Sequence, residues 1–475
     1  DKQKKDLDFF IERKQQLMNA RTRMFGQNIE SIWRQADADY LPTELGEVRK
    51  KYLIEDWRTE TSSWVNFERD EWRSKMAQPN PYIKIQTAMS ILIDRNPEAV
   101  LSPKSKKYEA TTDLINSLYH QLWADVRVGG KRELRKFIFN LTKYGWSVAR
   151  RYHKRQIRRD FEKVTDFDPQ TGKYTFEKQD QVDFDDVYFE TKSPWTVWID
   201  DLAKPDDPLS RRDWLWAEVW DIDVFKQQFT DWPNSKLVEA KQYDEDVEEN
   251  KGQQQREIVS KNVVKVFFYE NKITNKFLVV ANDILIVDTP LPYEHGQLSL
   301  VDTYWTLRST ECPYGIGVHE IMRQTNTMID KVRNMTMDQL VLSIYKMFFY
   351  SGVEQLDDGG ENIMLTPGAG KKVIDPKNIS WLEIPGPGKD AYVGLDMLNK
   401  DIDSETGVTK TLEGEITGKT AFEIGQAKEG ALKRLRIPLT NIQSALEWDA
   451  YLTIPLIRQV YSEPRVYRLT EPHII

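Results

Sequence analysis

A long segment that begins at Ile316 and ends at Tyr345 reads IGVHEIMRQTNTMIDKVRNMTMDQLVLSIY. It contains no proline, and no glycine after Gly317. Six of its residues recur at alternating spacings of three and four: Val318, Ile321, Thr325, Met328, Val332 and Met335. This spacing predicts a long helix whose apolar stripe is narrow enough to form a seam with another helix.

A short β-rich segment and a second helix follow. Strand-like runs alternate with turn sequences at 347–350, 362–365, 371–374 and 380–384. A returning helix is predicted over 389–405, where one face carries Ala391, Leu395, Leu398 and Ile402. Gly407 is placed to cap its C-terminus. The sequence therefore predicts a helix that leads out, a small β module and a helix that leads back.

The next segment, residues 407–419, is polar and has glycines at 407, 414 and 418. Such a segment cannot form a packed element of its own and is typical of an exposed loop. Thr420 and Glu423 then form a capping box that opens another helix. Pro438 must kink or break this helix, because proline lacks an N–H and crowds the preceding turn.

The order of these elements resembles that of the portal proteins of tailed bacteriophages. That family has a stem helix, a β clip, a second stem helix, a tunnel loop and a kinked wing helix that opens near a Thr-Ala-x-Glu sequence, here Thr420-Ala-Phe-Glu423. The resemblance implies an α+β fold. It also implies these divisions: wing 1–314, stem 315–346, clip 347–387, stem 388–406, tunnel loop 407–419, and the kinked wing helix with the start of the C-terminal or crown region 420–475.

The N-terminal half agrees with this resemblance. Apolar periodicity predicts helices over 6–38, 82–94, 108–128 and 131–144, and Gly145 ends the last of them before a strand at 146–152. A turn at 168–172 separates two alternating runs, 161–167 and 174–182, which predicts a β-hairpin. Further strands are predicted at 196–199, 214–220, 263–270, 276–280 and 284–287. A succession of helices and then strands is similar to the start of a portal wing.

Charge is unevenly distributed along this half. Residues 131–159 hold eleven Lys or Arg and one acid, Glu133, whereas residues 160–190 hold ten acids and three lysines. The basic run has two interpretations, a DNA-facing patch or a solvated or intersubunit face. We favour the second, because the acidic stretch could neutralise the basic one across a subunit boundary.

The composition limits the possible functions. A net charge of −8 argues against a protein that grips nucleic acid over most of its surface, but it suits a conduit past which DNA slides. Cys312 is the only cysteine, and the five histidines show no ligand spacing, so we expect no metal and no cofactor. No run approaches the roughly 18 apolar residues of a membrane span. The tryptophans near 57–72 and 195–220 predict core and subunit packing rather than base stacking.

The portal resemblance also implies sites and partners. The tunnel-loop residues that would meet DNA are Lys410, Thr411, Glu413, Gly414, Glu415, Thr417, Gly418 and Lys419, whose charges sum to zero. The clip residues that would dock other proteins are Asp357, Asp358, Lys371 and Lys372. The stem seam would consist of Val318, Ile321, Met328, Val332, Leu395, Leu398 and Ile402, and the helix kink would lie at Pro438.

The partners that the resemblance implies belong to a virion. They are further copies of the chain in a ring of twelve, double-stranded DNA that passes non-specifically, the large terminase as packaging ATPase, head-completion or adaptor proteins, and the capsid and scaffolding proteins. The expected location is the portal vertex of the capsid, after assembly in the host cytoplasm. The chain itself would not be an enzyme.

Other classes of protein fit the sequence less well. The sequence from Gly414 to Thr420 resembles a phosphate-binding loop, but it has three residues between its glycines instead of four and follows no buried strand. The acid pairs Asp200-Asp201 and Asp206-Asp207 could hold a cation, although such pairs are usually solvated turns. A head-to-tail adaptor is disfavoured by the chain length, and a shell protein by the two helices that bracket the β module.

Overall fold

The computed structural model describes residues 2–23, 28–40, 74, 76–93, 106, 109–125, 128–168, 173–240, 262–346, 348–351, 370–373, 380–381, 385–410, 412–413, 429–430 and 432–461. The fold is α+β, as predicted. The chain divides into two compact units. The first unit contains Asp1–Arg34, Ala88–Gly317 and Leu435–Ile475, and the second contains Gln35–Thr87 and Val318–Arg434.

The helices and strands have the following bounds. The helices are α1 Lys2–Arg23, α2 Ile29–Tyr40, α3 Asn80–Leu92, α4 Glu109–Ala124, α5 Gly130–Tyr144, α6 Ile222–Gln228, α7 Val318–Ile344, α8 Lys389–Thr406 and α9 Arg436–Val460. The strands are β1 Trp146–Asp168, β2 Lys173–Lys192, β3 Val197–Ile199, β4 Asp213–Asp221, β5 Val263–Asn271, β6 Lys276–Ala281, β7 Ile284–Thr289, β8 Leu300–Tyr304, β9 Phe348–Ser351, β10 Gly370–Val373 and β11 Ser380–Trp381.

The prediction of one helix over residues 6–38 is wrong, because the segment forms two helices, α1 and α2. Asn28 starts the second helix: its side-chain Oδ1 accepts a hydrogen bond from the N–H of Ser31 over 3.2 Å. An asparagine in this position satisfies an N–H that has no partner inside the helix. Apolar periodicity continues across the break and conceals it.

The first unit contains a five-stranded antiparallel sheet in the order β3-β4-β5-β6-β7. All five strands were predicted from the sequence, with small differences in their ends. Helix α1 covers one face of this sheet through Phe10 and Leu17, which are buried with Leu215, Tyr269 and Leu278. Removal of these side chains from water is the main favourable contribution to this core.

A second sheet of the first unit has the order β2-β1-β8. Its strands β1 and β2 confirm the predicted hairpin but are much longer, and β8 was not predicted. A cluster around Val187, Tyr188 and Tyr293 buries the base of the hairpin against Leu456 and Ile457 of α9. The sheet is therefore covered by residues that lie far away in the sequence.

Gly145 ends α5 as predicted, and the structure shows why only glycine suits this position. Its φ angle is +80°, and its N–H donates to the carbonyl oxygen of Leu141 over 2.9 Å. A Cβ atom on Gly145 would lie 2.3 Å from the backbone nitrogen of Gly317. Any side chain here would be strained and would also push two backbone segments apart.

The second unit contains the predicted helix, β module and returning helix in that order. Strands β9, β10 and β11 form a three-stranded sheet in which β10 is parallel and β11 antiparallel to β9. The strand predicted at 362–365 lies outside the described residues. The structure also assigns Gln35–Thr87 to this unit, whereas the sequence-based division placed these residues in the wing.

Candidate functional site: the loop root after α8 and the faces of α7

The loop predicted over residues 407–419 begins where α8 ends. Gly407 has a φ angle of +72°, and its N–H donates to the carbonyl oxygen of Asp403 over 3.1 Å. The left-handed backbone favours glycine, and a Cβ atom here would lie only 3.0 Å from Cβ of Arg434. Gly407 therefore caps α8, as the sequence predicts.

Lys84 of α3 binds the described start of this loop, residues 407–410, 412 and 413, which we call the loop root. The side chain of Lys84 is only 6% exposed. Its Nζ donates to the carbonyl oxygen of Val408 over 2.7 Å and lies 2.7 Å from Oε1 of Glu413. The same Nζ also forms an ion pair with Asp403. A buried ammonium group needs several partners to offset its loss of hydration. Lys84 thus connects the end of α8 with the first turn of the loop.

Thr409, Lys410, Leu412 and Glu413 contribute to that first turn. The N–H of Leu412 donates to the carbonyl oxygen of Thr409 over 2.9 Å, and the N–H of Glu413 donates to that of Lys410 over 3.1 Å. The other predicted loop residues lie outside the described residues: Thr411, Gly414, Glu415, Thr417, Gly418 and Lys419. Because Glu413 is paired with Lys84, it belongs to the root. One of the four charges of the predicted loop is thus paired with a residue outside the loop.

Lys84 was not among the site residues predicted from the sequence, although the sequence contains one indication of its role. The segment 82–94 reads as a strongly apolar helix. Lys84 is its only cation, and Asp94 at its end is its only other charged residue. A single lysine in such a helix predicts either exposure of its terminal amine or a carboxylate partner. The partners lie more than 300 residues away in the sequence, so the sequence alone could not identify them.

The predicted seam residues of α7 and α8 differ widely in exposure. Val318 and Ile402 are buried, and Met328 is 49% exposed. Four others are half-buried: Ile321, Val332, Leu395 and Leu398. The prediction that the seam faces a neighbouring subunit or the second stem helix stays a prediction.

The buried face of α7 is largely polar and lies beside the predicted stripe. Asn326, Asp330 and Asn334 are each at most 2% exposed. Together with Asp338 they form a ladder, at spacings of four residues, that contacts Ser74, Met76, Gln78 and Asn80. Asp338 accepts the N–H of Ser74 over 2.6 Å, and Asp330 accepts the N–H of Gln78 over 2.9 Å.

Asn334 forms two hydrogen bonds with Met76. Its Oδ1 accepts the N–H of Met76 over 2.8 Å, and its Nδ2 donates to the carbonyl oxygen of Met76 over 2.9 Å. Four residues of helix rise by about 6 Å, and two residues of extended chain rise by about 6.6 Å. The ladder therefore matches the repeat of an extended backbone and supplies hydrogen bonds that a neighbouring strand would otherwise provide.

The β module carries part of the predicted docking site. Lys371 and Lys372 lie in β10, where they pair in register with Phe349 and Tyr350 of β9. Asp357 and Asp358 lie outside the described residues. The role of these four residues in docking stays a prediction.

Pro438 lies in the first turn of α9 and not in the middle of a longer helix. Residues 432–434 are helical, Leu435 is in a turn, and α9 begins at Arg436. Pro438 has no N–H to donate to the carbonyl oxygen of Arg434, so one hydrogen bond of a continuous helix is missing at this point. The interruption lies at Leu435, and α9 contains a second proline, Pro455, in its interior.

The basic run between Lys131 and Arg159 separates into two groups. Four cations on the first two turns of α5 are exposed: Lys131, Arg132, Arg135 and Lys136. They lie at a helix N-terminus, where the helix dipole does not favour positive charge. For this exposed group both interpretations, a DNA-facing patch and a solvated or intersubunit face, stay predictions.

The second group lies on β1 and has acidic partners in the same chain. Arg151 is buried, and its Nε donates to Oδ1 of Asp449 over 2.6 Å. In the β1–β2 register Lys154 is opposite Asp186 and Arg155 is opposite Asp185. Acids of the same chain thus lie opposite these two cations or pair with Arg151. Neutralisation across a subunit boundary stays a prediction.

Asp200 is not in a solvated turn and does not offer a cation site. It is fully buried and accepts hydrogen bonds from Arg212 over 2.6 Å and from Arg13 over 3.2 Å. Burial alone would raise its pKa, but the hydrogen bonds from Arg212 contribute to a pKa below the usual value. Burial and the hydrogen bond with Asp200 raise the pKa of Asp201. No group of acids, histidines or cysteines among the described residues could hold a metal ion.

The tryptophans of β3 and β4 and of the turn before them lie in the core. Trp195, Trp198, Trp214 and Trp216 are buried, and the rings of Trp214 and Trp216 stack with centroids 4.2 Å apart. This confirms the packing interpretation for these four residues. The tryptophans at 57, 64 and 72 lie outside the described residues.

Two findings concern the chain as a whole. Within the described ranges, no helix is long and apolar enough to cross a membrane. The sequence matches no known protein family and no curated protein.

Proposed function

We propose that this chain is a subunit of a tailed-bacteriophage portal, a closed ring through which double-stranded DNA is packaged and ejected. The observation that carries the proposal is the second unit, in which α7, a three-stranded sheet and α8 follow one another and lead into a glycine-containing loop. This order of elements is similar to the stem, clip, stem and tunnel loop of portals. A conduit also suits a chain of net charge −8.

In this proposal the chain provides a passage and no chemistry. The large terminase hydrolyses ATP and docks on the β module, where Lys371, Lys372, Asp357 and Asp358 are the candidate contacts. Head-completion proteins later dock at the same module. Residues 414–419 face the DNA, while Lys84 and Glu413 keep the start of the loop in place. The loop can then bend without losing its attachment to α8.

The first experiment measures the assembly. Native mass spectrometry of the purified chain is expected to show a closed ring of about twelve copies, with heterologous contacts between neighbours. A monomer at high protein concentration would contradict the proposal. A pair of copies with isologous contacts would contradict it as well, because such contacts do not form a ring.

The second experiment tests the loop. Deletion of residues 411–417 is expected to leave ring formation intact, because α8 and the stem lie outside the deletion. DNA packaging into capsids should start, and the packaged DNA should then leak. Packaging and retention equal to those of the unmodified chain would show that the loop does not act on DNA. A ring assay on the same preparations separates this result from a failure of assembly.

A further inference from the structure

Strands β1 and β2 form a ribbon that is much longer than the sheet to which it belongs. β1 has 23 residues, yet β8 pairs only with its first five, Trp146–Arg150. The pairing of β1 with β2 continues as far as Asp168 and Lys173. Beyond Arg151, the described part of the chain contributes no third strand to this sheet. We call Ile157–Asp168 and Lys173–Val182 the outer ribbon.

The ribbon leaves the core at a definite point. Tyr152 of β1 and Phe184 of β2 still pack against the core cluster at its base. A few residues further out, Arg155 and Gln156 of β1 and residues 181–183 of β2 are exposed, and Val182 is 47% exposed. The outer ribbon thus extends from a well-packed base.

A ribbon of this kind needs a partner surface. Twelve residues at about 3.3 Å each make the outer ribbon roughly 40 Å long. An isolated pair of strands is at best marginally stable in water. With a width of about 10 Å, each of its faces covers roughly 400 Å², so contact on both faces reaches the roughly 800 Å² per partner of a stable protein interface.

The charge of the outer ribbon indicates the kind of partner. Its sequence has five Lys or Arg and six Asp or Glu, and in the β1–β2 register Glu162 is opposite Lys178 and Lys163 is opposite Glu177. A nearly neutral surface gains little from contact with a polyanion. It also contains seven larger apolar or aromatic residues: Ile157, Phe161, Val164, Phe167, Tyr174, Phe176 and Val182. This composition favours a protein partner over a nucleic acid.

We propose that the outer ribbon packs against a neighbouring copy of this chain and is part of the contact that joins subunits. The inference rests on the proposed ring, in which heterologous contacts give every ribbon an identical neighbour. Each copy both provides a ribbon and receives one. The edges of β1 and β2 beyond Arg151 supply main-chain donors and acceptors to the neighbour, and the apolar residues supply buried area.

The test replaces residues 157–183 by an Asn-Gly turn. Gln156 and Phe184 are paired in register, so a two-residue turn can connect them directly. The base of the hairpin, which contacts β8 and the core cluster, stays unchanged. We expect the variant to melt at the temperature of the unmodified chain and its assembled fraction in native mass spectra to fall at least tenfold.

A second measurement does not depend on the deletion. Hydrogen exchange of the unmodified chain is compared at a concentration where it assembles and at one where it dissociates. The amides of the outer ribbon should exchange at least tenfold more slowly in the assembly, while those of β8 should be unaffected. Equal exchange rates for the outer ribbon in both samples would overturn the inference.

The outcomes distinguish this inference from the proposed function. Full assembly of the shortened chain would overturn the inference alone and leave the ring intact. Full assembly together with a loss of incorporation into capsids would show that the ribbon contacts another virion protein, which also overturns it. The unmodified chain could also form open or isologous assemblies that the shortened chain does not form. That result would support the inference and contradict the portal ring. An unmodified chain that stays monomeric would contradict both.

Discussion

His295 is a side chain through which the stability of the first unit depends on pH. It follows β7, and its ring stacks on Tyr293 with centroids 5.1 Å apart. Its Nδ1 accepts the N–H of Gln297 over 3.0 Å, so the neutral ring carries its proton on Nε2. That Nε2 is buried and has no hydrogen-bond partner among the described residues. Burial lowers the pKa of His295 to about 4.

We expect His295→Gln to reduce the loss of stability in mild acid. In the unfolded chain the pKa is about 6.5, so between pH 6.5 and 4 the unfolded state binds a proton that the folded state does not. The stabilising contribution is therefore present above pH 6.5 and is lost as the pH falls to about 4. After a discount for partial exposure the loss is on the order of 1–2 kcal/mol.

The measurement is urea unfolding at several pH values. At pH 8, where the ring is neutral in both states, the variant and the unmodified chain should be almost equally stable, since glutamine can also accept the N–H of Gln297. At pH 4.5 the variant should be the more stable of the two. The same pH dependence in both proteins would exclude His295 as its source.

Lys84→Met tests the root of the loop. The change leaves Asp403 and Glu413 without their shared cation, and loss of one member of a buried ion pair typically costs about 3 kcal/mol. The N–H groups of Leu412 and Glu413, which form the first loop turn, should exchange hydrogen at least tenfold faster. Lys400→Met is the matched control, because Lys400 forms an exposed ion pair with Asp396 on α8. Equal effects of the two substitutions would show that Lys84 has no special role.

Among the elements, the spacing of apolar residues predicted most helices and strands, but it did not predict which residues each of them contacts. The helix at 318–344 was predicted, whereas its polar buried face was not. The signal for that face was the recurrence of Asn326, Asp330, Asn334 and Asp338 at intervals of four. Polar residues are usually exposed, so the sequence alone gives no reason to expect these four on a buried face. Their partners are backbone groups and the side-chain amide of Asn80, in a segment more than 240 residues earlier, which spacing cannot identify.

Asn334→Leu tests the ladder as a structural element. Asn334 is 1% exposed, and the substitution leaves both backbone groups of Met76 without their partner. The two hydrogen bonds are partly buried and Met76 is 43% exposed, so we expect their loss to lower the free energy of unfolding by about 1–2 kcal/mol. Urea unfolding gives this value, and the N–H of Met76 should lose protection in hydrogen exchange. Gln324→Leu, at an exposed position of α7, should change neither.

At the scale of the whole molecule, the order of elements was predictable and the division into units was only partly so. Residues 35–87 belong to the second unit, although they precede the β-rich part of the first unit in the sequence. Apolar periodicity describes each helix separately and gives no information on which distant segment it contacts. Buried pairs such as Arg151 with Asp449 depend on contacts across about 300 residues of sequence and are likewise invisible to local patterns.

The exposed methionines of α7 give the last prediction, which concerns assembly. Met335 is 66% exposed and Met328 is 49% exposed, and both belong to the apolar stripe with which α7 was predicted to contact another helix. Met335→Glu should leave the unfolding of the single chain unchanged, because the side chain is already in contact with water. In a ring the added carboxylate would be desolvated at every subunit contact, so the assembled fraction should fall at least tenfold. Val224→Glu is the matched control and should assemble normally, because Val224 is a 55% exposed apolar residue of α6 in the first unit. The measurement is native mass spectrometry of the unmodified chain and the two variants at one concentration. If Met335→Glu forms rings at the normal yield, the stripe does not face a neighbouring subunit.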